Sequence, residues 1–332
     1  MRKHIIGIDL GTSNTLIWVD TSDGIIFNEP SILAWKKESH QVVEIGYLAY
    51  KILGKVPQDM ELKHPSKNGV IADVEVATAY LESAFKNLKI KKLLRKSTII
   101  FSSPSDITPV ERQAFIDVAK NLGASNVHIE DQARLAALGS GVDFYSTRGN
   151  MIVNIGGAKT NIACVGLGNN VITKSTQYGG DSVNEAIIRH VRTKHHLIIG
   201  EKTAEYIKMK IGTLLENPDN NLLEVSGKDT ISGIPNSVVI STVEIKDVIK
   251  KIYDEIANVI LDTLEITPPE ISSDIIHTGI TLTGGGCLLN GARDYFQKAL
   301  SVNAHITPTP LESTIQGIKL IASEIVKEDS KK

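Results

Sequence analysis

Two stretches of the sequence have the composition of phosphate-binding turns. Asp9–Thr15 reads DLGTSNT between the apolar runs HIIGI and LIWV, and Asn154–Thr160 reads NIGGAKT between MIV and NIACV. A glycine turn between strands lets backbone N–H groups point at phosphate oxygens, and Thr, Ser and Asn side chains can add donors. Each stretch is therefore a candidate phosphate loop. Taken alone, the first is equally typical of an ordinary hairpin, and it lacks the GK[ST] ending of a Walker loop.

A polar residue closes the first strand of each unit. It is Asp9 in one unit and Asn154 in the other, 145 positions apart (154 − 9). A carboxylate at a strand end can hold a hydrated Mg²⁺ ion beside phosphates. Two similar units at this separation indicate a duplicated architecture. We therefore expect Asp9 to lie on the metal side of a cleft between the two units.

A third glycine break and one helix complete the candidate site. GITLTGGG ends in Gly284, Gly285 and Gly286, which offer a flat backbone surface for a nucleoside. Glu205 and Lys208 are spaced i,i+3 on a predicted helix and can reach one ligand together. A surface ion pair is the alternative for these two side chains. With the two loops, they predict a nucleotide site.

Length and composition restrict the class of protein. The chain has 332 residues, 42% of them hydrophobic and 22% charged, a net charge of −2 and two cysteines. Such a length fits about two domains. The charge balance argues against sequence-independent nucleic-acid binding, and two cysteines exclude a disulfide framework. No apolar run approaches the roughly 18 residues of a membrane span, and Met1–Leu10 lacks the long apolar run of a signal peptide, so we expect a cytoplasmic protein.

Helix-start signals separate the apolar runs in both halves. Thr108–Glu111, Ser182–Glu185 and Ser241–Glu244 each place a hydroxyl three positions before a Glu, which is the pattern of a capping box. The last of these predicts a long amphipathic helix that ends at Pro268-Pro269. His195-His196 ends a basic helix and is interpreted as a solvated C-terminus in preference to a ligand pair. Strands alternating with helices in both halves predict an α/β fold.

Six ordered motifs resemble the MreB family, the bacterial actin homologues of the actin, hexokinase and heat-shock ATPase superfamily. They run from about Ile5 to Ile325 and read DLGTSNT, GGAKT, GEKTAEYIKMKIG, SGIPNSVVISTVEI, LEITPPEISSDI and GITLTGGGCLLNG. The resemblance implies an actin-like fold, with two duplicated ribonuclease-H-like halves around a nucleotide cleft and a small subdomain in each half. It also implies ATP or ADP with Mg²⁺ as cofactors, and antiparallel double protofilaments of the protein itself on the inner membrane surface.

The resemblance assigns residues and subdomains. Gly11, Thr12, Ser13 and Asn14 match the first phosphate loop, and Gly156, Gly157, Ala158 and Lys159 the second. Glu205 and Lys208 match the helix that contacts adenosine, and Gly284–Gly286 the loop under the base and ribose. Asp9 matches the metal-side carboxylate, and Asn154, through water, stands at the second metal-side position. The implied subdomains are IA at 1–29, 70–147 and 318–332, IB at 30–69, IIA at 148–178 and 240–317, and IIB at 179–239.

The departures from the family pattern concern catalysis. The family usually has Asp-Ile-Gly-Gly-Gly-Thr-Thr at Asn154–Thr160 and Glu-Glu-Pro at Glu130–Gln132. Its second Glu and first Thr position the attacking water, and here Asp131 and Lys159 replace them. Asp131 is one methylene shorter, Lys159 can only donate, and Asn154 weakens the expected Mg²⁺ binding. We therefore predict attenuated hydrolysis with retained nucleotide binding, and a distorted loop if position 158 needs a positive φ.

Several functional alternatives remain at this level. An ATP-locked scaffold with essentially no turnover is the main one, and drift that leaves turnover intact is another. A small-molecule kinase of the same superfamily would need a cleft base and a sugar-shaped pocket. A chaperone-type ATPase would need a peptide-binding domain, for which the chain leaves no room after the core. The altered site favours an attenuated paralogue of a wall-less helical bacterium. In such bacteria several actin-like paralogues support shape and swimming, and these paralogues would be candidate partners.

A basic stretch suggests membrane contact. Residues 89–96 read KIKKLLRK, five basic residues around three apolar ones. In the family the corresponding loop can insert apolar side chains into lipid, which here would be Leu93 and Leu94. Basic residues near an anionic leaflet add about 1 kcal/mol each. A solvated helix end before the next strand is the alternative.

Overall fold

The computed structural model describes residues 4–95 and 97–329, and it confirms the α/β prediction. The strands are β1 His4–Leu10, β2 Asn14–Val19, β3 Ile25–Pro30, β4 Leu33–Lys36, β5 Val42–Ile45, β6 Met60–Lys63, β7 Ser97–Ser103, β8 Asn126–Asp131, β9 Asn150–Ile155, β10 Thr160–Gly166, β11 Asn169–Thr176, β12 Leu197–Ile198, β13 Leu222–Asp229, β14 Pro235–Ser241, β15 Ile280–Thr283 and β16 Ala304–Ile306. The helices are α1 Gly46–Lys51, α2 Val74–Asn87, α3 Lys91–Leu94, α4 Pro109–Asn121, α5 Gln132–Gly139, α6 Gly180–His195, α7 Glu201–Ile211, α8 Thr242–Ile266, α9 Pro269–Thr278, α10 Ala292–Leu300 and α11 Ser313–Asp329, with a 3₁₀ turn at Gly285–Leu288.

Two five-stranded sheets have the same strand order. One is ordered β3-β2-β1-β7-β8 and the other β11-β10-β9-β15-β16. In each, the first three strands are antiparallel, and the last two run parallel to the central strand. Leu10 pairs with Thr15 in one sheet, and Ile155 with Thr160 in the other, so the pairing register repeats with the offset seen in the sequence. The predicted duplication therefore extends to backbone pairing.

Two small sheets accompany the large ones. β5-β4-β6 falls between residues 33 and 63, and β12-β13-β14 between residues 197 and 241. The first sheet falls within the segment expected for subdomain IB, and the second within that expected for IIB except for the last two residues of β14. The subdomain boundaries stay a prediction. The expected boundary at residue 318 falls inside α11, which begins at Ser313.

Helices α5 and α11 pack against each other between the two large sheets. α11 shares a buried cluster with β1 and β2, whereas α5 places its alanines against β9 and β10. The helices approach closely at two glycines. A Cβ at Gly139 would overlap the backbone of Ser313, and one at Gly317 would overlap that of Leu135. Because neither position has room for a side chain, these glycines let α5 and α11 pack directly against each other. We call this contact between the two halves the glycine joint.

The predicted helix starts have mixed outcomes. Thr108 forms the expected capping box at α4, and Ser241 caps α8, whose last helical residue, Ile266, precedes the proline pair. The start predicted at Ser182 is wrong, because α6 begins at Gly180. The N–H groups of Gly180 and Asp181 donate to carbonyls of the loop after β9. Because these first-turn N–H groups already have acceptors, the helix can begin before Ser182.

The predicted membrane contact is wrong for Leu94 and stays a prediction for Leu93. Leu94 is 4% exposed and belongs to the hydrophobic core of the first half, so it is not available to lipid. Leu93 is half-buried on the single turn α3, and Lys96 of the basic stretch lies outside the described residues. Within the described chain, no helix combines the length and apolar character needed to cross a bilayer.

Candidate functional site

The two predicted phosphate loops lie against each other. Each is a four-residue hairpin loop, residues 11–14 after β1 and residues 156–159 after β9. They touch at Gly157, where a Cβ would overlap the hydroxyl of Ser13. A side chain at position 157 would therefore push the loops apart, and glycine lets both face one small volume.

Unpaired backbone donors mark the loops. Among the described residues, the N–H groups of Thr12, Ser13, Gly157 and Ala158 have no protein acceptor. The N-terminus of α6 packs on the second loop, since its first N–H groups donate to the Gly156 and Gly157 carbonyls at 3.0 and 2.8 Å. Free N–H groups beside a helix N-terminus suit anionic oxygens. Ala158 does not have a positive φ, so the condition under which a distorted loop was expected is not met.

Hydroxyl groups distant in sequence hold the first loop. The Gly11 carbonyl accepts from Ser31 at 2.6 Å and from Ser66 at 2.9 Å. The Thr12 hydroxyl accepts from the Gly69 N–H at 3.1 Å, and the Asn14 amide donates to Asn28. Of the three predicted polar donors in this loop, Ser13 is the one whose side chain meets the other loop.

Asp9 lies buried at the end of β1. The Ser102 hydroxyl donates to it at 2.5 Å. Burial raises the pKa of Asp9 to about 6, although the Ser102 hydrogen bond opposes the rise. Asn154 occupies the matching place on β9 and is also buried. A carboxylate and an amide oxygen at the two loops fit the oxygen ligands that Mg²⁺ prefers.

Asn161 adds a hydrogen-bond acceptor without a partner beside Asn154. It pairs with Asn154 across β9 and β10, and its amide donates to Gln132 at 2.9 Å. Its buried side-chain oxygen has no hydrogen-bond partner among the described residues. Because an unpaired buried acceptor is costly, this oxygen suits a water molecule or a ligand donor.

Asp131 has a structural task in this conformation. It is the N-cap of α5, and its carboxylate accepts from the Arg134 N–H at 2.9 Å. Aspartate is among the best N-cap residues, whereas glutamate is not among those preferred. The aspartate side chain, which stands where the family pattern has a glutamate, therefore turns back onto its own helix.

Lys159 pairs across the two halves. Its ammonium lies 3.6 Å from Asp106, which follows β7 in the first half, and its side chain is mostly buried. The Ser175 hydroxyl donates to the same Asp106 carboxylate at 2.8 Å. Lys159 thus neutralises a carboxylate, and it supplies no hydroxyl to orient water.

Glu205 and Lys208 both lie on α7 and face the other elements of the site. Lys208 donates to the Gly180 carbonyl at 3.2 Å, and burial lowers its pKa. Burial raises the pKa of nearby Asp181, which Lys208 partly offsets. Glu205 accepts from Tyr50 of the first half at 2.7 Å. The simple surface-pair alternative does not describe these contacts.

The three glycines lie beside the end of β9. Gly284 has φ +80°, and a Cβ there would approach Asn154 Oδ1 to 2.5 Å. A Cβ at Gly286 would overlap Ile155, and the Gly286 carbonyl accepts from Tyr253 at 2.6 Å. Packing against the second phosphate loop thus requires two of these glycines.

Several residues of the site were missed in the sequence. Asp106, Asp181, Tyr50 and Ser102 contact predicted site residues, but they lie far from the glycine motifs in the chain. Asp181 carried one weak signal, a carboxylate in the first turn of a helix. The others had none, because their partners are set by tertiary contacts.

Comparisons with known proteins place these features in a family. The chain matches the model of the MreB/Mbl protein family over residues 3–330. It is 35% identical to the cell shape-determining protein Mbl of Bacillus subtilis, over 100% of this chain and 99% of that protein. Identity to the cell shape-determining protein MreB of Escherichia coli is 33%, over 96% and 92%.

Solved structures agree. The crystal structure of MreB 5 of Spiroplasma citri bound to AMPPNP has a TM-score of 0.95 and 33% identity, over 100% of this chain and 99% of that one. A MamK double helical filament has a TM-score of 0.81 at 18% identity, over 97% and 99%. The second match bears on the fold alone, which is actin-like.

Proposed function

This chain belongs to the MreB/Mbl family, and from that membership we propose that it is a nucleotide-binding, actin-like cytoskeletal protein. It binds ATP or ADP with Mg²⁺, assembles with itself into filaments and takes part in cell shape or shape-driven motility. Its relatives carry the description cell shape-determining. The assembly, the metal and the cellular role are parts of the proposal.

One observation carries the nucleotide proposal. Two copies of the same hairpin loop meet at Gly157 and Ser13 with free N–H groups, and the N-terminus of α6 packs on the second loop. A related MreB 5 of Spiroplasma citri was solved with AMPPNP and with ADP. Buried Asp9 supplies the carboxylate beside which a metal ion would neutralise phosphate charge.

A binding titration tests this proposal. A fluorescent ATP analogue is titrated with the purified chain, with and without Mg²⁺. Gly157→Val should abolish binding by separating the loops, whereas Gly24→Ala, where a Cβ meets nothing within 4 Å, should bind normally. Unimpaired binding by a folded Gly157→Val protein would contradict the site.

Exposed apolar side chains on one small sheet support self-assembly. Ile231 is 82% exposed at the turn between β13 and β14, and Leu222, Ile234 and Val239 on the same hairpin are also exposed. Ile231 and Ile234 lie at the turn and Leu222 and Val239 toward the other end of the hairpin, and exposed apolar groups along one surface favour a protein interface. We assign a second copy of this chain as the partner of this hairpin.

Sedimentation and negative-stain microscopy with ATP, ADP and AMPPNP test the assembly. Ile231→Asp with Ile234→Asp should raise the critical concentration. Val110→Asp, an equally exposed apolar position on α4, is the matched control. Monomers in every nucleotide and salt condition would reject filament formation.

A second candidate is an ATP-locked scaffold with essentially no turnover. Two contacts favour it, because the Asp131 carboxylate caps α5 and the Lys159 ammonium pairs with Asp106. Neither side chain is then available to orient an attacking water. Phosphate release measured together with light scattering separates the two candidates. Slow but measurable release supports attenuated hydrolysis, and assembly without release supports the scaffold. A small-molecule kinase remains the weaker alternative.

A further inference from the structure

Two histidines and a glutamate converge where the sheet β12-β13-β14 joins the second half. His190 and His195 lie on the last turns of α6, and Glu244 lies in the first turn of α8. The Nε2 atoms of His190 and His195 lie 2.7 and 2.6 Å from the same oxygen, Glu244 Oε1. One ligand atom from each of the three residues lies within 4.8 Å of the others.

We propose that His190, His195 and Glu244 form a binding site for a divalent transition metal ion, in the first place Zn²⁺. Two imidazoles and one carboxylate are a donor set that zinc uses in proteins. Mg²⁺ prefers oxygen ligands, whereas imidazole suits zinc, copper and nickel. The site is separate from the phosphate loops and does not depend on the proposed function.

Movements of the three side chains would admit the ion. Ligand atoms of a tetrahedral zinc site are about 3.4 Å apart, given metal–ligand distances of about 2.1 Å. Each histidine nitrogen therefore has to withdraw from Glu244 by less than about 1 Å, and the two nitrogens, which lie within 4.8 Å of each other, have to reach about the same 3.4 Å separation. The side chains of His190 and His195 are 25% and 18% exposed, so an ion can enter from solvent and keep a water as its fourth ligand.

Lys194 competes with the ion for the Glu244 carboxylate. Its ammonium lies 3.2 Å from the other oxygen of Glu244, and its side chain is 54% exposed. A bound cation would repel this ammonium, which can turn into solvent. Removing the Lys194 charge should therefore strengthen metal binding, an effect that a purely structural hydrogen-bond cluster does not predict.

The ion would join both chain connections into the small sheet. β12 begins two residues after His195, and β14 runs directly into α8. A metal bridge between α6 and α8 would restrain the sheet that carries the exposed hairpin. Amide hydrogen exchange in β12–β14 should accordingly slow when Zn²⁺ is bound.

The test is calorimetric titration of the full, untagged chain with ZnCl₂. We expect one ion per chain. His190→Gln and His195→Gln keep a donor to Glu244, so both should fold, but each should weaken zinc binding by more than the roughly 10- to 100-fold typical of outer-shell changes. Co²⁺ should give the visible bands of a tetrahedral site in the wild type and not in the variants.

Two further variants make the result decisive. His196→Asn changes the adjacent histidine, which lies outside the cluster and has φ +53°, a conformation that Asn tolerates, and should leave zinc binding unchanged. Lys194→Gln should tighten binding about two- to five-fold. Zinc should also raise the melting temperature of the wild type and of these two variants, but not that of the His190 and His195 variants. No stoichiometric binding by the wild type, or equal binding by the His190 and His195 variants, would overturn the proposal.

Discussion

The Tyr50 hydroxyl donates to the Glu205 carboxylate at 2.7 Å and so joins α1 of the first half to α7 of the second. Lys202, one turn earlier on α7, donates to the Tyr50 carbonyl at 3.2 Å and lies over its ring. Burial raises the pKa of Tyr50, and the bond to Glu205 raises it further, so the phenol stays protonated as the donor. This contact closes one side of the space between the halves.

Loss of that contact should speed nucleotide release. Tyr50→Phe keeps the ring and removes one hydrogen bond to a charged group, worth about 1 kcal/mol at a partly exposed position. The release rate of a fluorescent ADP analogue, followed by stopped flow, should rise about five-fold. Tyr47→Phe, an exposed tyrosine on the same helix, is the control. Equal rates for both variants would show that the contact does not gate release.

Restoring the family residues should restore hydrolysis and lower stability. Asp131→Glu with Lys159→Thr returns a longer carboxylate and a hydroxyl, and phosphate release should rise on the order of 100-fold, the effect of about 1 Å of misplacement. Asn154→Asp should add to it. Since glutamate is a weaker N-cap, Asp131→Glu alone should also lower stability by about 1 kcal/mol.

Phosphate-release assays and thermal melts check both effects. Asp247→Glu, an exposed Asp-to-Glu change on α8, is the control. A wild-type rate that all three changes leave unmoved would mean that these positions do not limit hydrolysis.

The Asp9 carboxyl gives the site a pH dependence. Its pKa rises from 3.8 to about 6 on folding, because burial disfavours the charged form. The folded chain therefore binds this proton more tightly than the unfolded chain, and the stability contribution of Asp9 falls as pH rises from about 4 to about 6. Mg²⁺ needs the ionised form.

Mg²⁺-dependent nucleotide affinity should accordingly increase between pH 5 and pH 7, a range set by the raised pKa of Asp9. Titrations in Mg²⁺ and in EDTA across this range measure it. Asp9→Asn should remove both the Mg²⁺ effect and its pH dependence. A pH profile identical in wild type and Asp9→Asn would assign the effect to another group.

The glycine joint between α5 and α11 should be intolerant of side chains. Gly317→Val forces atoms into the Leu135 backbone, and overpacking of this kind costs about 1–3 kcal/mol or more. Urea denaturation should show that loss of stability. Gly24→Ala, at an open position, should be nearly neutral. Equal urea midpoints for Gly317→Val and the wild type would mean that α5 and α11 can separate without loss of stability.

The sequence by itself determined features made by neighbours along the chain. The hairpin loops at Gly11 and Gly156, and the caps at Thr108 and Ser241, arise from turn residues and from hydrogen bonds a few positions apart. The duplicated α/β architecture also followed, because strand–turn–strand units repeat visibly in the chain.

Only the tertiary structure decided which partners the site residues have. Lys159 finds Asp106, Glu205 finds Tyr50, and His195, interpreted as a solvated helix end, meets Glu244. Leu94 is buried although its neighbours in sequence are basic. The physical reason is the same in each case. These contacts join residues far apart in the chain, and no local pattern records which distant carboxylate or apolar core a side chain will meet after folding.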